Sequence, residues 1–97
     1  MTINLHDKFN LELKKILEYI AQDKLTAAKN FKKELIHRIK EIPEQPYKYR
    51  PSIYINDKKV RDMTFKGYTI VYIIRENNID IITIFNQNIP VFNESNL

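Results

Sequence analysis

Six cations fall within twenty residues of this chain, the first two interleaved with a pair of tyrosines: Tyr47, Lys48, Tyr49, Arg50, Lys58, Lys59, Arg61 and Lys66. Aromatic rings interleaved with positive charge can stack on bases and hold phosphates. The same residues serve a purely structural end if the tyrosines pack a loop onto a sheet edge while the lysines guard that edge against pairing with other chains. Residues 47–66 carry six cations against Asp57 and Asp62, an excess of +4 that equals the formal charge of the whole chain. Such a patch attracts phosphate backbones or an acidic protein partner. Arg61 stands apart because it shares a strand face with Met63 and Phe65, so its head must reach the rim or find a partner, as an interfacial arginine does.

The other chemistry-bearing residues are dispersed. His6 and His37 are the only histidines, and neither has a second histidine or a carboxylate cluster near it in sequence, so both read as surface residues and no metal is expected. The carboxylates alternate with lysines, as in Glu12 beside Lys14 and Lys15, and form no dyad. A single glycine cannot build a GxGxxG turn or a P-loop, and no cysteine is present for thiol or redox catalysis. No cofactor is expected.

The elements that must position the basic segment follow from apolar periodicity. Lys59 to Phe85 reads KVRDMTFKGYTIVYIIRENNIDIITIF. Tyr68, Ile70, Tyr72 and Ile74 fall on one side of a strand and Val71 and Ile73 on the other, which predicts a central strand covered on both faces. Ile79, Ile81 and Thr83 alternate with Ile82 and Ile84 in the next strand, across a tight turn at Glu76-Asn77-Asn78 whose asparagines tolerate positive φ. Lys66-Gly67 forms the preceding corner.

Upstream, Thr2–Leu5 alternates as a first strand, with Ile3 and Leu5 facing the core. Asp7 is a candidate helix cap, and Phe9, Leu13, Ile16, Leu17 and Ile20 form a helical stripe running to about Gln22. Asp23 can cap a second helix carrying Ala27, Ala28, Phe31, Leu35, Ile39 and Ile42 as far as Pro43. The short connection predicts an antiparallel helical hairpin. After the Pro43–Pro46 loop a strand is expected at Ser52–Ile55, turned back by Asn56-Asp57-Lys58. The order β-α-α-β-β-β-β gives an α+β domain over 1–97, a helical hairpin packed on a mostly antiparallel sheet. The tail from Asn86 is expected to be only partly ordered.

Ninety-seven residues with 43% hydrophobic content suit a single core. No apolar run approaches the roughly 20 residues that cross a bilayer, and the polar opening MTINLHDKF and absence of cysteine point to a cytoplasmic protein without a membrane partner. Residues 1–46 carry nine cations against seven anions, the balance of solvated helix faces.

LELKKILEYIAQDKLTAAKNFKKELIHRI, then PYKYR, VRDMTFKGYTIVYII and IDIITIF, resemble in content and order the RelE/ParE superfamily of toxins from type II toxin-antitoxin modules. The likeness covers residues 1 to about 90 and is most specific at Ala27-Ala28 with Phe31, and at Val60-Arg61 spaced before Gly67-Tyr68 and Val71-Tyr72. It implies a small toxin neutralised by a cognate antitoxin that wraps a helix and an extended segment around it. RelE-like members cut messenger RNA on the ribosome, whereas ParE-like members inhibit DNA gyrase.

The resemblance also places the residues that a nuclease would use. RelE-like chains carry arginine directly after the Gly-Tyr of the central strand, a basic residue beyond the last strand, and often a tyrosine in the tail. Here these positions hold Thr69, Asn86-Gln87-Asn88 and Phe92. RNA cleavage by 2′-hydroxyl attack needs a proton acceptor, cations for the developing phosphorane charge and an acid for the leaving oxygen. Lys59 and Arg61 match the family's basic pair on the preceding strand and support phosphate binding without cleavage. A ParE-like gyrase inhibitor is therefore the preferred expectation. The alternatives are a metal-independent mRNA endoribonuclease using Lys58, Lys59, Arg61 and Lys66 with Tyr47 or Tyr49 as acid, or an inactive toxin kept as an antitoxin-binding or corepressor module. Partner contacts are expected at Tyr47, Tyr49, Arg50, Lys59, Arg61, Met63 and Phe65, where an acidic amphipathic antitoxin segment would lie.

Overall fold

A computed structural model describes residues 1–86. The elements are β1 (Thr2–Leu5), α1 (Asp7–Asp23), α2 (Leu25–Glu41), β2 (Arg50–Pro51), β3 (Val60–Phe65), β4 (Tyr68–Ile74) and β5 (Asn78–Asn86), with a 3-10 turn at Ile42–Glu44. They follow the expected order. The sheet runs β1-β5-β4-β3-β2, antiparallel except for β1, which pairs parallel to β5. Of the tail expected to be only partly ordered from Asn86, Asn86 itself ends β5, and residues 87–97 lie outside the described residues.

The two helices lie on one face of this sheet. Phe9 and Leu13 of α1 and Phe31, Leu35 and Ile39 of α2 pack with Met63, Phe65, Ile70, Tyr72, Ile74, Ile79, Ile81 and Ile84 in one apolar cluster. Ile3 and Leu5 lie against it half-buried, as expected. Phe31 meets Phe65 and Tyr68 edge to face at centroid distances of 5.3 and 5.4 Å, an arrangement worth about 0.5–1.5 kcal/mol beyond area burial. β4 sits third of five and is buried on both faces, as its apolar pattern requires.

Five local expectations are corrected. Asp7 is the first residue of α1 and His6 occupies the cap without a side-chain hydrogen bond, because the Asn4–His6 segment is held straight by the β1–β5 ladder, His6 N–H donating to Ile81 O at 3.0 Å. Asp23 belongs to α1, and Lys24 alone, in an extended conformation, turns the chain into α2. The Glu76–Asn77 turn has no positive φ. Arg75 N–H closes it onto Asn78 O at 2.9 Å, and among the described residues Lys66 (φ 50°) is the one non-glycine residue with positive φ. That residue and Gly67 (φ 85°) make the two-residue hairpin between β3 and β4, whose twist matches that of the strands.

The fourth correction concerns β5. A bulge opposite Val71/Tyr72 leaves Ile82 unpaired, so the alternation slips by one and Ile84 joins Ile79 and Ile81 on the helix-covered face. The fifth concerns β2, which is Arg50–Pro51 rather than Ser52–Ile55. Ser52 N–H still donates to Val60 O at 2.8 Å. Beyond it, side-chain oxygens take the backbone donors that a ladder would use: Asp62 Oδ2 accepts from Ile53 N–H and Ser52 Oγ from Tyr54 N–H, each at 3.1 Å. The chain then crosses the second face of the sheet as a strap, bringing Tyr54 against Phe85 of β5 at 5.2 Å.

Candidate partner-binding surfaces

Arg61 extends from β3 toward the loop that precedes β2. Its Nε donates to Lys58 O and its Nη1 to Tyr49 O, both at 3.0 Å, and the guanidinium lies 4.8 Å from the ring centroid of Tyr47. From the core side Tyr72 donates its hydroxyl to Pro46 O at 2.6 Å, and Tyr49 stands edge-on to Tyr72 at 6.4 Å. Burial, then the neighbouring Tyr49 phenol, push the Tyr72 pKa well above its ordinary value, with Arg61 opposing. The Tyr72 hydroxyl is thus a locked donor that pins Pro46.

The structure brings together Tyr47, Tyr49 and Arg61, with Arg50 reaching the buried Asp62 carboxylate at 3.5 Å. They form a clamp on the loop. Lys48 lies 5.6 Å over the Tyr49 ring, while Tyr47, Lys58 and Lys59 remain exposed. Met63 and Phe65, expected at a partner surface, belong instead to the core, because the inward face of β3 lies under α2. Their neighbours Thr64, on the outward face of β3, and Lys66, in the hairpin turn, are exposed. Thr69, at the position of the nuclease-type arginine, is fully buried on the second face of the sheet.

The larger cationic surface lies on α2 and escaped the sequence reading. A groove of about 1190 Å³ is lined by Lys29, Lys32, Lys33, Ile36, Lys40 and, from the β3–β4 turn, Lys66. Arg38 and Lys66 sit 5.6 and 5.5 Å over the Phe65 ring, and Lys66 pairs with Glu34 at 2.5 Å. The signal was the helical spacing of Lys29, Lys32, Lys33, Ile36 and Lys40, which places them on one face. Averaging charge over residues 1–46 concealed it, since α2 carries five cations against two anions and α1 three against four.

The groove also borders an unfinished sheet edge. Phe65 and Tyr68 close the two-residue hairpin, so Val60, Asp62 and Thr64 aim their backbone groups away from β4. β2 satisfies this edge only as far as Asp62, and Thr64 lies beyond it.

Of the two histidines, His37 lines the α2 groove. His6 Nε2 lies 3.6 Å from Asp80 and His37 3.4 Å from Glu41. Asp80 is buried at the β1–β5 edge, accepting from Arg75 Nε at 2.5 Å, from Asn4 at 3.3 Å and from Asn78. The Arg75 hydrogen bond is the largest influence holding its pKa below the ordinary value, against opposing desolvation. Among the described residues no group of three or more His, Cys, Asp or Glu is placed to hold a metal, and no helix is long and apolar enough to cross a membrane.

Comparison with known proteins agrees with this architecture. The solved structure described as "Chromosomal ParDE TA system from P. aeruginosa" superposes with a TM-score of 0.74 at 18% identity, covering 89% of this chain and 95% of that chain. No curated protein matches by sequence. The family profile described as ParE toxin of type II toxin-antitoxin system, parDE, matches residues 3–89. With its helical hairpin, five-stranded mixed sheet and match over nearly all its length, the chain belongs to the ParE toxin family of type II toxin-antitoxin systems.

Proposed function

We propose that this toxin arrests growth by binding DNA gyrase, and that a cognate antitoxin neutralises it by laying an acidic amphipathic segment in the α2 groove. The observation that carries the binding reading is the use made of Arg61. Two of its donors are committed to the carbonyls of Lys58 and Tyr49, so the cation best placed to meet a scissile phosphate is occupied in holding the fold. The burial of Thr69 supports the same view, since that position offers no reactive group to RNA.

The antitoxin seat rests on charge and backbone together. Lys29, Lys32, Lys33 and Lys40 attract carboxylates, Ile36 offers an apolar floor, and the free edge at Thr64 suits an extended segment added as a strand. This seat lies beside, rather than on, the Tyr47–Arg50 loop.

Two assays on purified protein test the function, each with and without antitoxin: supercoiling by gyrase, and integrity of message in a translating extract. Inhibited supercoiling with intact message is the expected result. Cleaved message with normal supercoiling would transfer the activity to a nuclease built on Lys58, Lys59 and Lys66.

A further inference from the structure

The strap that crosses the second face of the sheet exposes Ile53, Tyr54 and Ile55 at 67, 43 and 48%. Three successive large apolar residues on an irregular segment are costly to leave in water, and contiguous patches of this kind mark interaction sites. Arg50, Lys58 and Lys59 rim the run and are exposed, against Asp57 alone, whose Oδ1 is turned to Lys59 N–H at 2.9 Å. Beneath the strap Asp62 is 2% exposed, and while its Oδ2 holds Ile53 N–H, its Oδ1 has no hydrogen-bond partner. The strap therefore covers one buried acceptor that is left in deficit.

We infer that the Ile53–Ile55 strap is the surface through which the toxin grips its target, a protein presenting an apolar ridge flanked by carboxylates. The inference rests on the reading that this toxin acts by binding a protein. Charge selects the occupant. A second copy related by a two-fold axis would set Arg50, Lys58 and Lys59 against their own kind. Nucleic acid would gain little, because Ile53 and Ile55 do not stack on bases and the Tyr54 ring is engaged by Phe85. The strap lies on the opposite face of the sheet from the helices, whereas the antitoxin groove is built on α2.

The test compares the parent with Ile53→Ser/Ile55→Ser and, separately, Lys58→Glu/Lys59→Glu. All four positions are exposed, and matching urea midpoints establish that the variants fold. The expected result is a parent that arrests growth and variants that need about tenfold more expression or worse for the same arrest, the loss typical of removed interface anchors. Variants that arrest growth as the parent does would overturn the inference. So would loss of a parental dimer in sedimentation, of parental binding to phosphatidylglycerol vesicles, or of message cleavage in a translating extract, since each assigns the strap another occupant. Purified gyrase separates this inference from the gyrase reading. If the parent leaves supercoiling intact while the strap variants still lose growth arrest, the surface stands and gyrase is not its occupant.

Discussion

At the scale of the residue, Arg61 shows how a cation singled out for chemistry can be consumed by architecture. Its guanidinium bridges two carbonyls twelve and three residues back in the chain and covers an aromatic ring, a set of contacts that a planar fork satisfies and a single ammonium does not. Arg61→Ala is expected to lower stability by about 2 kcal/mol, the scale of charge-assisted hydrogen bonds, with Arg61→Lys recovering less than half in urea denaturation. An unchanged midpoint for Arg61→Ala would show that the loop holds itself. Asp80 supplies a second test. Its folded pKa is depressed, chiefly by Arg75, so its contribution to stability is complete above the unfolded carboxylate value and is lost as pH falls through the folded one. Acid titration of stability should steepen there, and Asp80→Asn should flatten that limb; equal slopes in the two proteins would exclude the linkage. Asn4, Asn78 and His6 face the same carboxylate.

At the scale of the element, the β3–β4 hairpin and the bulge in β5 decide which side chains meet the helices. Gly67 at φ 85° closes the hairpin in register Phe65↔Tyr68, and that register puts Arg61 opposite Tyr72, where the two side chains reach the same loop from neighbouring strands. Gly67→Ala should cost about 1–2 kcal/mol, the penalty of a Cβ in the left-handed region, read as a lowered urea midpoint with an unchanged m-value. A stability equal to that of the parent would mean the turn relaxes to another type. The bulge works by displacement: with Ile82 unpaired, Ile84 turns inward beside Ile70, so the strand contributes three isoleucines to the core in place of two.

At the scale of the molecule, charge is divided between two surfaces on different parts of the fold. α2 presents a cationic groove next to a free strand edge, and the strap presents apolar side chains with a basic rim. Lys32→Glu/Lys33→Glu should raise the dissociation constant for the cognate antitoxin by about tenfold or more at low salt, the difference shrinking as salt screens the exposed charges. An affinity insensitive to both reversal and salt would move the antitoxin away from α2. Arg61→Glu, by contrast, should act on the antitoxin only through the loosened Tyr47–Arg50 loop, because its head faces inward.

The order of elements, the helical hairpin and the doubly covered central strand were legible in the sequence because each depends on local spacing: a 3.6-residue stripe from Phe9 to Ile20, a two-residue alternation from Tyr68 to Ile74, a glycine at a corner. Family membership was legible for the same reason, being carried by short motifs in a fixed order. What tertiary structure alone decided is where side chains spend their hydrogen bonds. Nothing in the spacing of Arg61 tells that Tyr49 O and Lys58 O will lie within its reach, since both depend on a loop folding back over β3. The shift of β2 to Arg50–Pro51 followed from Asp62, a residue nine positions from the Ile53 amide it captures. The α2 groove became a surface only when Lys66 arrived beside it from the far end of β3. Periodicity records which face of an element is apolar, whereas the partners of a polar group are set by distance in space, and distance is known only once the chain has closed.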